Sequence, residues 1–249
     1  MLKKLFPVAI IGVLAVAIIQ DILFSSSDPT PVSSFSEPVE PNWSAIAAWP
    51  TQEAALVEAA PDPNRRITAI VLDDSGSMGS DIEDAKTAIV AALDAMDAND
   101  RVGVTALNRG VVWDFSTVED ARSGLARALA PIQSDGSTPL TSAVMSARAG
   151  LEQEASVVRG FGTFRMIITT DGIADDGRAL DLAVADLAET TPIQITTIGI
   201  GIDGGHVLRR DDLGTFVDVA NVAALRGALE AAVAENTDFA AITDFGGDG

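Results

Sequence analysis

Cysteine is absent from the 249 residues, which excludes disulfides, thiolate metal sites, cysteine nucleophiles and cysteine-linked lipid anchors. Histidine is limited to His206. Basic charge is scarce: 16 Lys and Arg stand against 36 Asp and Glu, and the only lysines are Lys3, Lys4 and Lys86. The resulting net charge of -20 repels phosphate backbones, and no run of Lys or Arg with interleaved aromatics offsets it, so nucleic acid is excluded as a partner. The acidic excess is read as surface solubility, with a saline environment as the alternative. With 47% apolar residues the chain can bury one core and is not generally disordered.

The amino terminus reads MLKK and then LFPVAIIGVLAVAII from Leu5 to Ile19, followed by Gln20, Asp21 and the apolar triplet Ile22 to Phe24. About 20 residues of helix suffice to cross a bilayer, and Lys3 and Lys4 would stay on the cytoplasmic side. Residues 1–24 are therefore expected to be a transmembrane anchor. Cleavage as a signal peptide is the alternative, at Ala15-Val16-Ala17 or Ser25-Ser26-Ser27. Both place the bulk of the chain outside the cytoplasm, either membrane-anchored or secreted or periplasmic. From Asp21 to Asn64 come seven acidic residues, seven prolines and no basic residue, so residues 25–64 read as an extended acidic linker. Short amphipathic fragments around NWSAIAAW and TQEAALVEAA would let Trp43 and Trp49 touch the folded domain or the lipid interface, but the composition favours a poorly ordered tether. Residues 237–249, acidic and glycine-rich, read as a mobile tail.

The folded domain is expected over 65–236. Arg66 to Leu72, RITAIVL, is a nearly unbroken apolar run of strand length, as in a parallel strand covered on both faces. In the helix that follows, Ile82, Ala85, Ile89, Leu93 and Met96 recur at helical spacing. Further strands are expected at Val102 to Leu107, Val111 to Trp113, Phe164 to Thr170, Ile193 to Ile200 and Thr215 to Val219. Helices are expected at Glu119 to Ala130, Leu140 to Leu151, Ala179 to Ala188 and Val222 to Val233. Strand and helix alternate, which predicts a Rossmann-like three-layer α/β domain with a mostly parallel sheet between helices. The close succession of the second and third strands predicts a hairpin and one antiparallel edge strand.

Asp73-Asp74-Ser75-Gly76-Ser77 lies where the first strand ends. Asp73, Ser75 and Ser77 alternate, and Gly76 relaxes the backbone between them, so a turning loop can aim three short oxygen-bearing side chains at one point. Asp171 ends another strand in the same way. Thr138, in QSDGSTPL, precedes a helix that Pro139 can start. In a parallel sheet such loops gather at the carboxyl edge, where ligands bind. Oxygen donors without His or Cys suit magnesium, with manganese or calcium as alternatives, and disfavour zinc. Two carboxylates balance a divalent charge, and a sixth coordination position is left for water or a ligand's carboxylate. Taken singly, each piece is ordinary: Asp-Ser-Gly-Ser is common turn or capping material, Asp-Gly is a common turn, and Thr before Pro can be a helix cap. Asp74 is read as solvated or supporting, outside the coordination sphere.

Together, LDDSGSMG, STPL and ITTDG resemble the von Willebrand factor type A family with its metal-ion-dependent adhesion site. The resemblance runs over about residues 65 to 236. It implies a six-stranded sheet and a magnesium ion at its upper edge. Asp73, Ser75 and Ser77 would coordinate from the first loop, Thr138 directly or on ligand engagement, and Asp171 through water. It also implies recognition of a protein that presents Asp or Glu to the ion. ALNRG, after the second strand, departs from the aromatic and serine frequent in the family. The family does not select the partner.

An enzyme would need a nucleophile or activated water beside a proton acceptor. His206 sits in GIDGGHVLRRDD and is expected to be an exposed loop residue, and Gly76-Ser77-Met78-Gly79 lacks the first glycine of a nucleophile elbow. Arg209 and Arg210 with Asp211 and Asp212 read as solvated paired charges. A binding module is therefore expected. Metal-assisted hydrolysis and a structural role in envelope assembly without functional metal are the alternatives.

Overall fold

The computed structural model describes residues 38–51, 64–202 and 204–234. The proposed anchor or signal segment, most of the linker and the tail lie outside these residues. Among the described residues no helix is long and apolar enough to cross a membrane.

The first strand, β1 (Arg66–Leu72), is buried along nearly its whole length. Its side chains alternate between two cores. Ile70 and Leu72 enter one and Ile67, Ala69 and Val71 the other, as the two-residue period of a strand requires. This is why the run is almost continuously apolar rather than alternating. β2 (Arg101–Ala106), β4 (Thr163–Thr170) and β5 (Gln194–Ile200) are the other inner strands, and β3 (Gly110–Thr117) and β6 (Thr215–Val219) are the edges. The order is β3-β2-β1-β4-β5-β6. β2 pairs with β3 antiparallel, and every other pair is parallel. The expected sheet with one antiparallel edge strand is therefore present, and so is the hairpin that produces it.

One face carries α2 (Asp81–Ala92), α3 (Val118–Leu129) and α6 (Val222–Ala234). The other carries α4 (Leu140–Val157) and α5 (Gly177–Thr190). Local chemistry sets the helix starts. Thr117 Oγ1 accepts from the Asp120 amide and Asp176 Oδ1 from the Ala179 amide, each cap contributing about 1 kcal/mol. Asp81, Glu83 and Asp84 place negative charge on the first turn of α2, where the helix dipole favours it. At the hairpin, a Cβ on Gly103 would lie 2.8 Å from the Phe115 ring, so only glycine lets that ring settle over β2.

The composition of the linker did not foretell part of its structure. Trp43–Ala48 form a short helix, α1, whose start is capped by Asn42. Asn42 N donates to Glu189 O, and Val39 N to Asp212 Oδ2. Trp49 is buried, edge-on to Phe164 with ring centroids 4.7 Å apart. Trp43 remains exposed. The large apolar surface of one indole overrides the extended tendency of the surrounding Pro and Glu.

Candidate functional site

β1 and β4 are adjacent, yet the chain leaves β1 toward β2 on one side and reaches β4 on the other. Their carboxyl ends therefore form the switch point of the sheet, where the outgoing loops part and leave a crevice. Asp73 follows β1 and Asp171 follows β4, so the two carboxylates arrive side by side.

Asp73 is fully buried. Its Oδ1 accepts the Ser75 amide at 2.9 Å. Its Oδ2 accepts the Thr170 hydroxyl at 2.8 Å and the Asp171 amide at 3.4 Å. Ser75 Oγ lies 3.0 Å from Ser77 Oγ, and Ser77 Oγ donates to Asp171 Oδ1 at 2.7 Å. Thr138 is close by: a Cβ placed on Gly172 would be 3.8 Å from both Ser77 Oγ and Thr138 Oγ1. The structure therefore gathers all five residues singled out in the sequence.

Two neighbouring segments hold the first loop, residues 134–136 and the β2–β3 loop at Asn108. Gly76 N donates to Gly136 O, Asp135 N to Asp74 O, and Ser134 Oγ to Ser75 O. Gly136 has φ +82°, and a Cβ there would lie 2.6 Å from Asn108 Oδ1, so glycine is required on both counts. Asn108 donates its amide to Asp74 Oδ1 at 2.7 Å and its Nδ2 to Ser137 O at 2.9 Å. Asp74 is thus not solvated. It is fully buried and tied to the β2–β3 loop, and its Oδ2 has no hydrogen-bond partner among the described residues. Lys86, in α2, donates to Ile132 O in the segment that leads to Thr138. Thr170, Asn108 and Ser134 are supporting residues that spacing alone did not reveal. Their only sequence signal is a polar side chain beside a strand end or glycine turn.

Burial raises the Asp171 carboxyl above its ordinary range. The Ser77 hydroxyl bond pulls it back, and the charge of Asp73 pushes it further up. None of the ion pairs among the described residues involves Asp73, Asp74 or Asp171. Among the described residues the carboxylates thus meet hydroxyls and amides but no basic partner. Among the described residues no group of three or more His, Cys, Asp and Glu forms a metal cluster. The donor set is two carboxylates with three neutral hydroxyls, which fits a hard divalent cation and not zinc.

His206 is not the exposed residue expected of a polar glycine loop. It is 2% exposed, and its Nδ1 accepts the Leu208 amide at 3.1 Å. Its ring lies against Phe216, over which Arg209 also stacks. Burial lowers its pKa, the Gly172 backbone works in the opposite direction, and the charge of Arg209 lowers it further. A histidine held neutral by the fold binds fewer protons folded than unfolded. Stability is then complete above the unfolded value near 6.5 and declines as pH falls from there toward the lower folded value. We expect acid-side melting curves to show this decline and His206→Gln to flatten it. The imidazole NMR shift of this single histidine should titrate below the ordinary range.

The neighbouring charges are also more structural than expected. Arg210 donates to Asp181 at 2.6 Å and pairs with Asp212. Asp181 is buried and the Arg210 side chain is mostly covered, so this pair anchors the β5–β6 loop to α5. Arg209 pairs with Asp218.

The family model of the von Willebrand factor type A domain matches residues 68–173, less than half of the chain but including Asp73, Ser75, Ser77, Thr138 and Asp171. Comparison with curated proteins gave no match. Among solved structures, a von Willebrand factor type A protein from Catenulispora acidiphila is similar at 21% identity and TM-score 0.58, over 69% of this chain and 42% of that one. The pilus adhesin SpaC from Lactobacillus rhamnosus GG is similar at 15% identity and TM-score 0.53, over 72% and 30%. A manganese-loaded TRAP protein from Plasmodium vivax is similar at 16% identity and TM-score 0.50, over 69% and 75%. The chain thus spans less than half the length of the first two of these proteins. At these identities the likeness concerns the fold, and with the strand order above it establishes that this chain carries a von Willebrand factor type A fold.

Proposed function

We propose that this protein is a metal-dependent protein-binding module. In this reading Asp73, Ser75, Ser77, Thr138 and Asp171 hold a magnesium ion, or manganese or calcium in its place, which recognises an Asp or Glu side chain of a partner protein. The observation that carries the reading is the meeting of two carboxylates and three hydroxyls from separate loops at the switch point, with no ion pair to either carboxylate among the described residues. When bound, a divalent cation supplies a positive contact on which a carboxylate can close.

The residues of the chain do the rest. Asp73 supplies charge from a buried position whose two oxygens are already oriented by the Ser75 amide and the Thr170 hydroxyl. Ser75, Ser77 and Thr138 add oxygens without adding charge. An acidic ligand is therefore drawn to the centre even though the surrounding protein is negative. His206, buried and bonded through Nδ1, offers no exposed base beside this site, and this supports binding over hydrolysis. The apolar start of the chain supports a cell-envelope location, with the domain outside the cytoplasm. A manganese-loaded protein and an adhesin are among the proteins of similar fold, which is consistent with this reading.

The full chain, immobilised and exposed to solubilised envelope proteins, tests the function. Capture is expected to vanish with a chelator, return with excess magnesium, and be absent throughout for Asp73→Asn. Capture that ignores the chelator and survives that substitution contradicts the proposal.

A further inference from the structure

The loop carrying Thr138 touches the other parts of the site in two different ways. Toward the first loop it makes several bonds, through Ser134, Asp135 and Gly136, and toward the β2–β3 loop it is held by Asn108. Toward the loop after β4 its hydrogen bonds run through a single residue. Asp175 Oδ2 accepts the Ser137 hydroxyl at 2.6 Å, Asp175 Oδ1 accepts the Thr138 amide at 3.0 Å, and Asp175 N donates to Thr138 O at 3.1 Å.

These bonds complete a ring. The first loop is joined to the Asp171 loop by Ser77 on Asp171 and by the Asp171 amide on Asp73. It is joined to the Thr138 loop by Gly76 on Gly136. Asp175 closes the third side. We propose that Asp175 is a positioning residue of the metal site: it fixes the Thr138 backbone from both its N–H and its C=O, and so holds the Thr138 hydroxyl beside Ser77 and Asp171. The inference rests on the metal-binding reading above.

The chemistry favours such a role. A carboxylate that accepts a hydroxyl and an amide from consecutive residues makes two charge-assisted bonds. The reciprocal bond from its own amide then leaves the Thr138 peptide little freedom to turn. Without the Asp175 carboxylate, the Thr138 loop stays attached to the first loop but is tied to the segment after β4 only by the main-chain bond from residue 175 N to Thr138 O, and so can swing relative to β4. Thr138 must then be ordered at the expense of cation affinity. Asp175 itself is exposed, so its replacement leaves the core intact.

Magnesium titration of the folded full chain tests this through a double-mutant cycle. Asp175→Ala is expected to weaken magnesium binding about tenfold, the order expected for losing one or two charge-assisted bonds. Asp175→Asn, which keeps one acceptor oxygen, should restore most of the loss. In the Thr138→Ala background, where no hydroxyl remains to be placed, Asp175→Ala should change the affinity by less than about twofold. An equal tenfold loss in that background overturns the proposal, because Asp175 would then act on the ion independently of Thr138. Full affinity in the single variant also overturns it. Failure of the underlying reading looks different: the unsubstituted protein itself would bind no magnesium, or Asp73→Ala would leave its affinity unchanged.

Discussion

Asp73→Ala is expected to lower magnesium affinity by roughly a hundredfold or more, since even supporting residues around metal ligands cost 10- to 100-fold when replaced and this carboxylate supplies half of the site's formal charge. The substitution also removes the acceptor for the Ser75 amide and the Thr170 hydroxyl. Buried donors left without partners cost about 1–3 kcal/mol each, so the variant will melt earlier as well. Asp73→Asn separates the two effects, because an amide keeps one acceptor oxygen and removes the charge. Isothermal titration on protein shown by circular dichroism to be folded provides the measurement. Asn at this position should retain most of the stability and lose the magnesium heat, and affinity retained in both variants counts against Asp73 as a ligand.

Trp49→Ala is expected to destabilise the domain by about 3–5 kcal/mol, the usual range for truncating a buried aromatic residue. The side chain is 9% exposed and edge-on to Phe164, and nothing smaller fills that place. Its Nε1 has no hydrogen-bond partner among the described residues, so Trp49→Phe should cost far less than Trp49→Ala. Urea unfolding of the three proteins at constant m-value measures the difference. A negligible loss in the alanine variant would mean that residues 38–50 do not belong to the folded domain. Because this core lies on the α4 and α5 side of the sheet, the same variant provides a destabilised reference whose magnesium affinity, while folded, should be unchanged.

What could be read from the chain was whatever is local and periodic. β1 announced itself because both of its faces are covered and Thr68 is the one polar residue between Ile67 and Leu72. The hairpin was visible because ALNRG leaves too few residues between β2 and β3 for a crossover. The five oxygen-bearing residues were legible for a different reason: each sits at the end of a strand or the start of a helix, and parallel topology brings those ends to one edge. Where the reading fell short, the deciding partner lies far off in sequence. His206 stands among glycines, which suggested exposure, but Phe216 and the Leu208 amide bury it. Arg210 looked like half of a solvated pair, but its buried partner Asp181 is in α5. Trp49 lies in a segment of tether composition and is claimed by Phe164, a residue of β4. Asp175 gave no signal of its own, since its role depends on a loop 37 positions earlier in the chain.

Anomalous diffraction from crystals soaked in manganese tests the central claim most directly. Manganese scatters anomalously, and like magnesium it takes oxygen ligands. The account predicts one strong peak within coordinating distance of Ser75 Oγ and Ser77 Oγ, reached by Asp73, Thr138 and Asp171 directly or through water. A well-ordered crystal with manganese bound elsewhere, or with none at this edge of the sheet at saturating concentration, would contradict it.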